Sequence, residues 1–248
     1  MKFSSDEIAF ATGGEVIRRA GRGQVSTDTR DVGPEDWFLA LVGARFNGHA
    51  FLNQAAAKGA TGCIVSETMS SDWVGGCVLV EDTTKALQDL GRFARSQMKG
   101  PLIGLTGTTG KTTTRAMIAY AIGSQFTVHQ THGNLNNHLG VPMTLIGTPD
   151  DCDAVVLEMG TSSPGEIAFL AELANPDGRV ILNVGAGHLE ELGGLDGVAQ
   201  EKGALFRSAK PGQWVAMNTD DARVRQIAIP NGVKVLSWGQ IGKPTVRL

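Results

Sequence analysis

The run Leu102-Ile-Gly-Leu-Thr106, followed without a break by Gly107-Thr-Thr-Gly-Lys-Thr-Thr113, constrains this chain more than any other stretch. A short apolar run of this kind predicts a buried strand, and the residues from Lys111 to about Gly123 predict a helix. Between them, a glycine loop can turn its backbone N–H groups onto phosphate oxygens. The helix N-terminus adds partial positive charge, Lys111 can reach the β- and γ-phosphates, and the Thr112 hydroxyl can hold Mg²⁺. The common phosphate-loop spacing would place a glycine at position 105, where leucine stands, so this is the shorter Thr-Gly-x-x-Gly-Lys-Thr form. Strand, loop and helix together make a nucleotide-binding loop. Its phosphate-contacting residues are Gly107, Thr108, Thr109, Gly110, Lys111, Thr112 and Thr113.

Strands and helices alternate on both sides of this loop. Before it, the pattern predicts helices at 4–11, 50–58 and 84–99, with strands at 24–27, 37–42, 63–65 and 78–80. Gly100-Pro101 closes this part, giving a small α/β domain over residues 1–100. After the phosphate loop come strands at 126–130, 154–157, 179–184, 214–217 and 233–237. Helices are predicted at 164–173, 195–209 and 220–227. That alternation predicts an α/β fold whose second domain, residues 101–248, is a parallel sheet binding ligands at the carboxyl ends of its strands.

Charge and apolar patterning exclude several partners. A formal charge of −3 gives no general attraction to nucleic acid or to an anionic membrane. No apolar run approaches membrane-spanning length and the first residues lack a signal-peptide core, so a cytoplasmic protein is expected. Cys63, Cys77 and Cys152 lie in or beside apolar runs without Cys-x-x-Cys spacing, which predicts buried, reduced thiols.

Three further groups could serve the loop. Glu158 ends a predicted strand, where an acidic residue near a phosphate loop serves Mg²⁺ or caps a helix. His188 follows a strand and two glycines, and Lys202 lies on a helix. Each also fits a structural or solvated role when taken alone. Asn134, Asn136 and Asn137 either bind a polar ligand or shape turns. Asp28-Thr29-Arg30 fits an Asx-type turn.

These residues, in this order, resemble the Mur ligases. The resemblance is carried by Thr106–Thr113, Gly133-Asn-Leu-Asn-Asn137 with Gly140-Val-Pro-Met-Thr144, Leu157-Glu-Met-Gly160 and Pro164-Gly-Glu-Ile167. It continues through Gly187-His-Leu-Glu190, Gly197-Val-Ala-Gln-Glu-Lys-Gly203 and Asn218-Thr-Asp-Asp221. Upstream, Thr27-Asp-Thr-Arg30, Trp37–Gly43 and Phe46-Asn-Gly-His49 resemble that family's UDP-substrate domain. The resemblance leans to the branch that adds D-alanyl-D-alanine to UDP-N-acetylmuramoyl-tripeptide in peptidoglycan synthesis.

The resemblance implies an ATP-dependent ligase acting through an acyl phosphate. Lys111, His188 and Lys202 would be catalytic. Thr112 and Glu158 would bind one Mg²⁺, and His188 with Lys202 a second, the lysine being carbamylated in the family. Thr27, Thr29 and Arg45 would contact the uridine nucleotide, and Asn134 and Asn137 the central site. Four positions depart from the family pattern: His138 for an acidic residue, Thr161-Ser162 for Ala-Asn, and Gly187 for alanine. The family has a third domain that helps bind ATP and the incoming amine, and this chain stops before it. The expectation is therefore a fragment, or a separate chain supplying that part. Two rival readings are a Mur-type ligase adding a different amino acid and a module holding ATP or a UDP-sugar without turnover.

Overall fold

A computed structural model of the chain describes residues 1–44, 46–68 and 73–248. Its contacts divide it into two units: Met1–Gln97 together with Leu145–Thr148, and Met98–Thr144 with Pro149–Leu248.

In the first unit, helix α1 (Ser5–Thr12) starts where the sequence predicts a cap. Ser4 Oγ accepts the Glu7 N–H, Glu7 answers by accepting the Ser4 N–H, and Gly13 at φ +67° ends the helix. Strand β1 (Glu15–Arg18) has no counterpart among the sequence expectations. It is a mostly exposed edge strand with a charged residue at each end, so no apolar run marks it. The unit continues with β2 (Val25–Ser26) and β3 (Trp37–Leu39), then the small hairpin β4 (Val42–Gly43) and β5 (Phe46–Asn47). Helix α2 (Leu52–Ala57), β6 (Gly62–Val65), β7 (Gly76–Leu79) and α3 (Thr83–Gln97) complete it. The five-stranded sheet runs β1-β7-β6-β3-β2, with β1 antiparallel to β7 and the other pairs parallel.

The predicted strand at 37–42 stops at Leu39, after which the Ala40 N–H still reaches the Ile64 carbonyl before the chain leaves the sheet. Gly48 is needed at the next bend, because a Cβ there would stand 2.7 Å from the Ala40 and Leu41 backbone. The predicted helix at 50–58 therefore begins with a 3₁₀ turn over Gly48–Phe51, capped by Asn47. Phe38, Ala55, Cys63, Val65 and Cys77 build the core. Cys63 and Cys77 stand side by side in register as buried, reduced cysteines, while Cys152, expected to be buried, is only half-buried.

The second unit is organised by β8 (Leu102–Thr106), whose ends match the sequence expectation, and by α4 (Lys111–Gly123). Then come β9 (Val128–Gln130), α5 (Gly140–Ile146), β10 (Ala154–Glu158), α6 (Glu166–Ala174) and β11 (Gly178–Ile181). After these follow α7 (Leu189–Leu192), α8 (Leu195–Arg207), β12 (Trp214–Asn218), α9 (Ala222–Arg225), β13 (Lys234–Gly239) and β14 (Val246–Arg247). The seven strands are all parallel, in the order β14-β13-β12-β11-β8-β10-β9. Chain order reverses around β8: α4 carries the chain outward to β9, and the link from β10 to β11 passes over β8. The carboxyl ends of β8, β10 and β11 therefore meet at a topological switch point, where α/β sheets bind ligands.

A buried cation braces the far side. Arg179 on β11 is fully buried and donates to the Pro176 carbonyl, the Gln213 side chain and both Ser208 oxygens. Among the described residues, no helix is long and apolar enough to cross a membrane.

Candidate functional site

The phosphate loop occupies the switch point, directly after β8. Gly110 takes φ +78°, a left-handed value that glycine accepts without strain, and caps α4 with no side chain of its own. The first hydrogen bond of α4 runs from the Thr114 N–H to the Gly110 carbonyl. The N–H groups of Lys111, Thr112 and Thr113 are thus left without intrahelical partners at the positive end of the helix. Lys111 Nζ folds over the loop onto the Gly107 and Thr108 carbonyls, at 3.0 and 3.3 Å.

The metal-ligand expectations for Thr112 and Glu158 meet in a contact. The Thr112 hydroxyl donates to Glu158 Oε2 at 2.9 Å, and the carboxylate is 2% exposed. Its other oxygen accepts from Asn136 Nδ2 at 2.9 Å, while the Glu158 N–H is held by Thr131 Oγ1. Buried Arg115 on α4 donates to the Thr131 and Gly133 carbonyls, so it ties the amide-rich loop to the same helix. Gly160 leaves room for the Asn136 amide, since a Cβ there would stand 2.8 Å from Asn136 Oδ1 and push it from Glu158.

The amides divide differently from the sequence expectation. Asn137 accepts the N–H groups of Leu139 and Gly140, so it turns the chain into α5, and it also lines the cleft. Asn134 is exposed, and its carbonyl accepts the Asn136 N–H; its side chain does not line the cleft. Asn136, not Asn134, touches Glu158.

A cleft of about 340 Å³ opens here, with Lys111, Asn136, Asn137, Thr161, Ser162 and His188 among its walls. His188 holds φ +55°, unusual for a residue with a Cβ, at the start of α7. Lys202 lies on the inner face of α8 and is 4% exposed. Burial, with the charge of Lys111 as a lesser cause, pushes its pKa down to about 8 against the pull of Glu201. Glu201 faces the other way, accepting the N–H groups of Gly165 and Ile167 at 2.7 Å each and so capping α6. Gly187 stands 2.9 Å from the Thr108 methyl by the position its Cβ would take, so the missing methyl there makes room for the loop.

A second cleft, of about 350 Å³, lies in the first unit and is lined by Thr27, Asp28, Thr29, Arg30, Phe46 and Gln54 among others. Asp28 Oδ1 accepts the Arg30 N–H, forming the expected Asx turn. The Arg30 guanidinium holds the Asp28 pKa down to about 2. Thr29 donates to Gln54 Oε1 at 2.9 Å. Arg45 lies outside the described residues. Sequence reasoning missed Asn136 as a Glu158 partner, along with Arg115, Asn183, Glu201 and Gln54. Their neighbourhoods assign them roles, and an isolated amide or carboxylate in a chain carries no such mark.

Comparison with known proteins agrees with the geometry. Residues 105–246 match the family model described as the Mur ligase middle domain. A UDP-N-acetylmuramoyl-tripeptide–D-alanyl-D-alanine ligase from Bacillus subtilis is 41% identical over 187 residues, which cover 75% of this chain and 41% of that protein. The enzyme of the same description from Escherichia coli is 38% identical over 79% of this chain and 43% of that protein. The chain thus spans less than half the length of these two relatives. Among solved structures, MurF from Acinetobacter baumannii superposes with a TM-score of 0.88 at 32% identity, covering 98% of this chain and 54% of that one. MurF from Thermotoga maritima in complex with ADP gives 0.77 at 32% identity, over 89% of this chain and 51% of that one.

Proposed function

The chain belongs to the Mur ligase family, and from that premise we propose that it carries two parts of a MurF-type ligase. The first unit takes the UDP-sugar end of UDP-N-acetylmuramoyl-tripeptide, and the second binds ATP. In the reaction proposed, the γ-phosphoryl group of ATP passes to the terminal carboxylate of the tripeptide, leaving ADP and an acyl phosphate. The amine of D-alanyl-D-alanine then attacks the carbonyl carbon, and phosphate leaves as the amide forms and the amine loses a proton.

The observation that carries this reading is the buried Glu158 carboxylate joined to Thr112 at the foot of the phosphate loop. A hydroxyl and a carboxylate converging beside free helix N–H groups form the oxygen donor set that suits Mg²⁺, so these residues would hold it. Mg²⁺ bound there would neutralise phosphate charge during transfer. Lys111 and the N–H groups of Lys111–Thr113 would orient the phosphates and spread their charge. Lys202, with its pKa lowered to about 8, has a neutral amine available near neutral pH to take up CO₂ with loss of a proton. Carbamylated, it would present an anionic oxygen and join His188 as a second ligand set. Reduced cysteines at positions 63 and 77 fit a reducing, cytoplasmic setting.

The test is calorimetric titration of the chain with Mg·ATP and, separately, with UDP-N-acetylmuramoyl-tripeptide. Both are expected to bind, and Lys111→Ala is expected to weaken Mg·ATP at least about a hundredfold while sparing the UDP-peptide, as loss of a charged phosphate contact implies. Binding of ATP without the UDP-peptide would overturn the assignment to this substrate.

A further inference from the structure

Asn183 stands two residues beyond β11, at the switch point, and its side chain lies on the phosphate loop. Its Oδ1 accepts the N–H groups of both Thr108 and Thr109, at 3.0 Å each, and its Nδ2 returns a bond to the Thr109 carbonyl at 3.2 Å. A carboxamide suits this task because it accepts and donates at once, whereas a carboxylate only accepts and a hydroxyl has too short a reach. The backbone reinforces the contact: the Asn183 carbonyl also accepts the Thr108 N–H, and the Thr108 hydroxyl exchanges bonds with the Gly185 N–H and carbonyl. From the opposite side, Asn218 Nδ2 holds the Leu182 carbonyl and Asp221 holds the Val184 N–H, both at 2.8 Å. The segment that leads on to His188 is therefore fixed, and Asn183 passes that fixity to the loop.

This arrangement sorts the loop's donors. The amides of Thr108 and Thr109 are taken by protein, while those at the start of α4 have no acceptor among the described residues. We propose that Asn183 is the positioning residue of the phosphate loop. It withdraws the first two amides from the nucleotide, holds the loop in its phosphate-accepting shape before ligand arrives, and locks the loop to the segment bearing His188. The proposal rests on the ATP-site reading above and adds the residue that pre-organises that site.

The test pairs amide hydrogen exchange, read by NMR on the ligand-free chain, with titration of Mg·ATP and of inorganic tripolyphosphate. In the unmodified protein the Thr108 and Thr109 amides are expected to exchange slowly. Asn183→Ala should speed exchange at Thr109 about tenfold or more, as loss of its bond implies, and less at Thr108, whose N–H keeps the Asn183 carbonyl as acceptor. It should weaken Mg·ATP and tripolyphosphate by a common factor of about ten, because the lost order lies at the phosphates. Asn183→Asp keeps both acceptor bonds, so protection should survive while its negative charge weakens the two polyanions. A general loss of stability would not separate the two variants in this way. Unchanged exchange in Asn183→Ala overturns the proposal, as does Mg·ATP binding as tight as or tighter than in the unmodified chain. If the unmodified chain does not bind Mg·ATP, the ATP reading fails, and the exchange experiment still decides whether Asn183 braces the loop.

Discussion

Lys202 shows how far a single residue's surroundings can displace its chemistry. Its ammonium is buried and shares the site with Lys111, so the charged form is disfavoured in the folded chain. The folded pKa of about 8 lies below the ordinary 10.5. Between those values the unfolded chain binds more protons, so stability must rise with pH across that window. Below about pH 8 both states are protonated and the burial cost is present in full. Urea unfolding in metal-free, CO₂-free buffer should therefore show the native chain gaining on Lys202→Met between pH 8 and 10.5, by at most about 3 kcal/mol. A constant difference would mean that Lys202 is not buried as a cation. Lys202 itself was readable as a candidate because it sits in an ordered set of motifs, and so were Lys111, Thr112 and Glu158. Asn183 was not, and Asn136 was readable only as one of three amides with an open role, because a carboxamide's role depends on which donors and acceptors surround it. Asn136 is set apart from exposed Asn134 by reaching Glu158 and lining the cleft.

At the level of elements, α6 illustrates a cap brought from elsewhere in the chain. Its N-cap is Gly165 at φ +89°, which has no side chain to offer, and Glu201 of α8 supplies both acceptors instead. Removing them with Glu201→Ala would take the acceptor from the exposed Gly165 N–H and leave the N–H of buried Ile167 unpaired. The expected cost is about 1–3 kcal/mol in urea unfolding, and Glu201→Gln, which keeps one acceptor, should fall between. Equal stability of all three would remove Glu201 from the helix. Arg179 should cost more: Arg179→Met takes the Arg179 donor from the buried Pro176 carbonyl and one of two donors from Gln213 Oε1, for about 3 kcal/mol or more by the same measurement. The elements themselves were legible where local signals agreed. Apolar residues, glycine turn and helix start coincide at 102–123, and the observed ends coincide with them. Helix α5 went unread because its cap, Asn137, lies in a run of amides that looks like loop, and Pro142 sits in its first turn. Strand β1 went unread because an edge strand need not be apolar.

For the whole molecule, the two clefts lie in different units, each built on its own sheet. A ligand that binds only the native state stabilises it by mass action, by about 2.7 kcal/mol at a hundred times its dissociation constant. That stabilisation is felt first where the ligand orders donors that were waiting for it. In the second unit these are the open amides at the start of α4 and the Lys111 ammonium, which now rests on loop carbonyls. In the first unit they are the residues around the Asp28 turn and the 3₁₀ segment Gly48–Phe51. Hydrogen exchange with saturating Mg·ATP should therefore slow at Gly110–Thr113, and UDP-N-acetylmuramoyl-tripeptide should slow exchange within 27–30 and 46–54. Lys111→Ala should abolish the first pattern and keep the second, because the groups proposed for the uridine end lie in the first unit and those proposed for the triphosphate in the second. Slowing by Mg·ATP at 27–54 with none at 110–113 would move the nucleotide to the other cleft. The phosphate loop would then be a structural turn, and Glu158 a buried carboxylate satisfied by Thr112 and Asn136 alone.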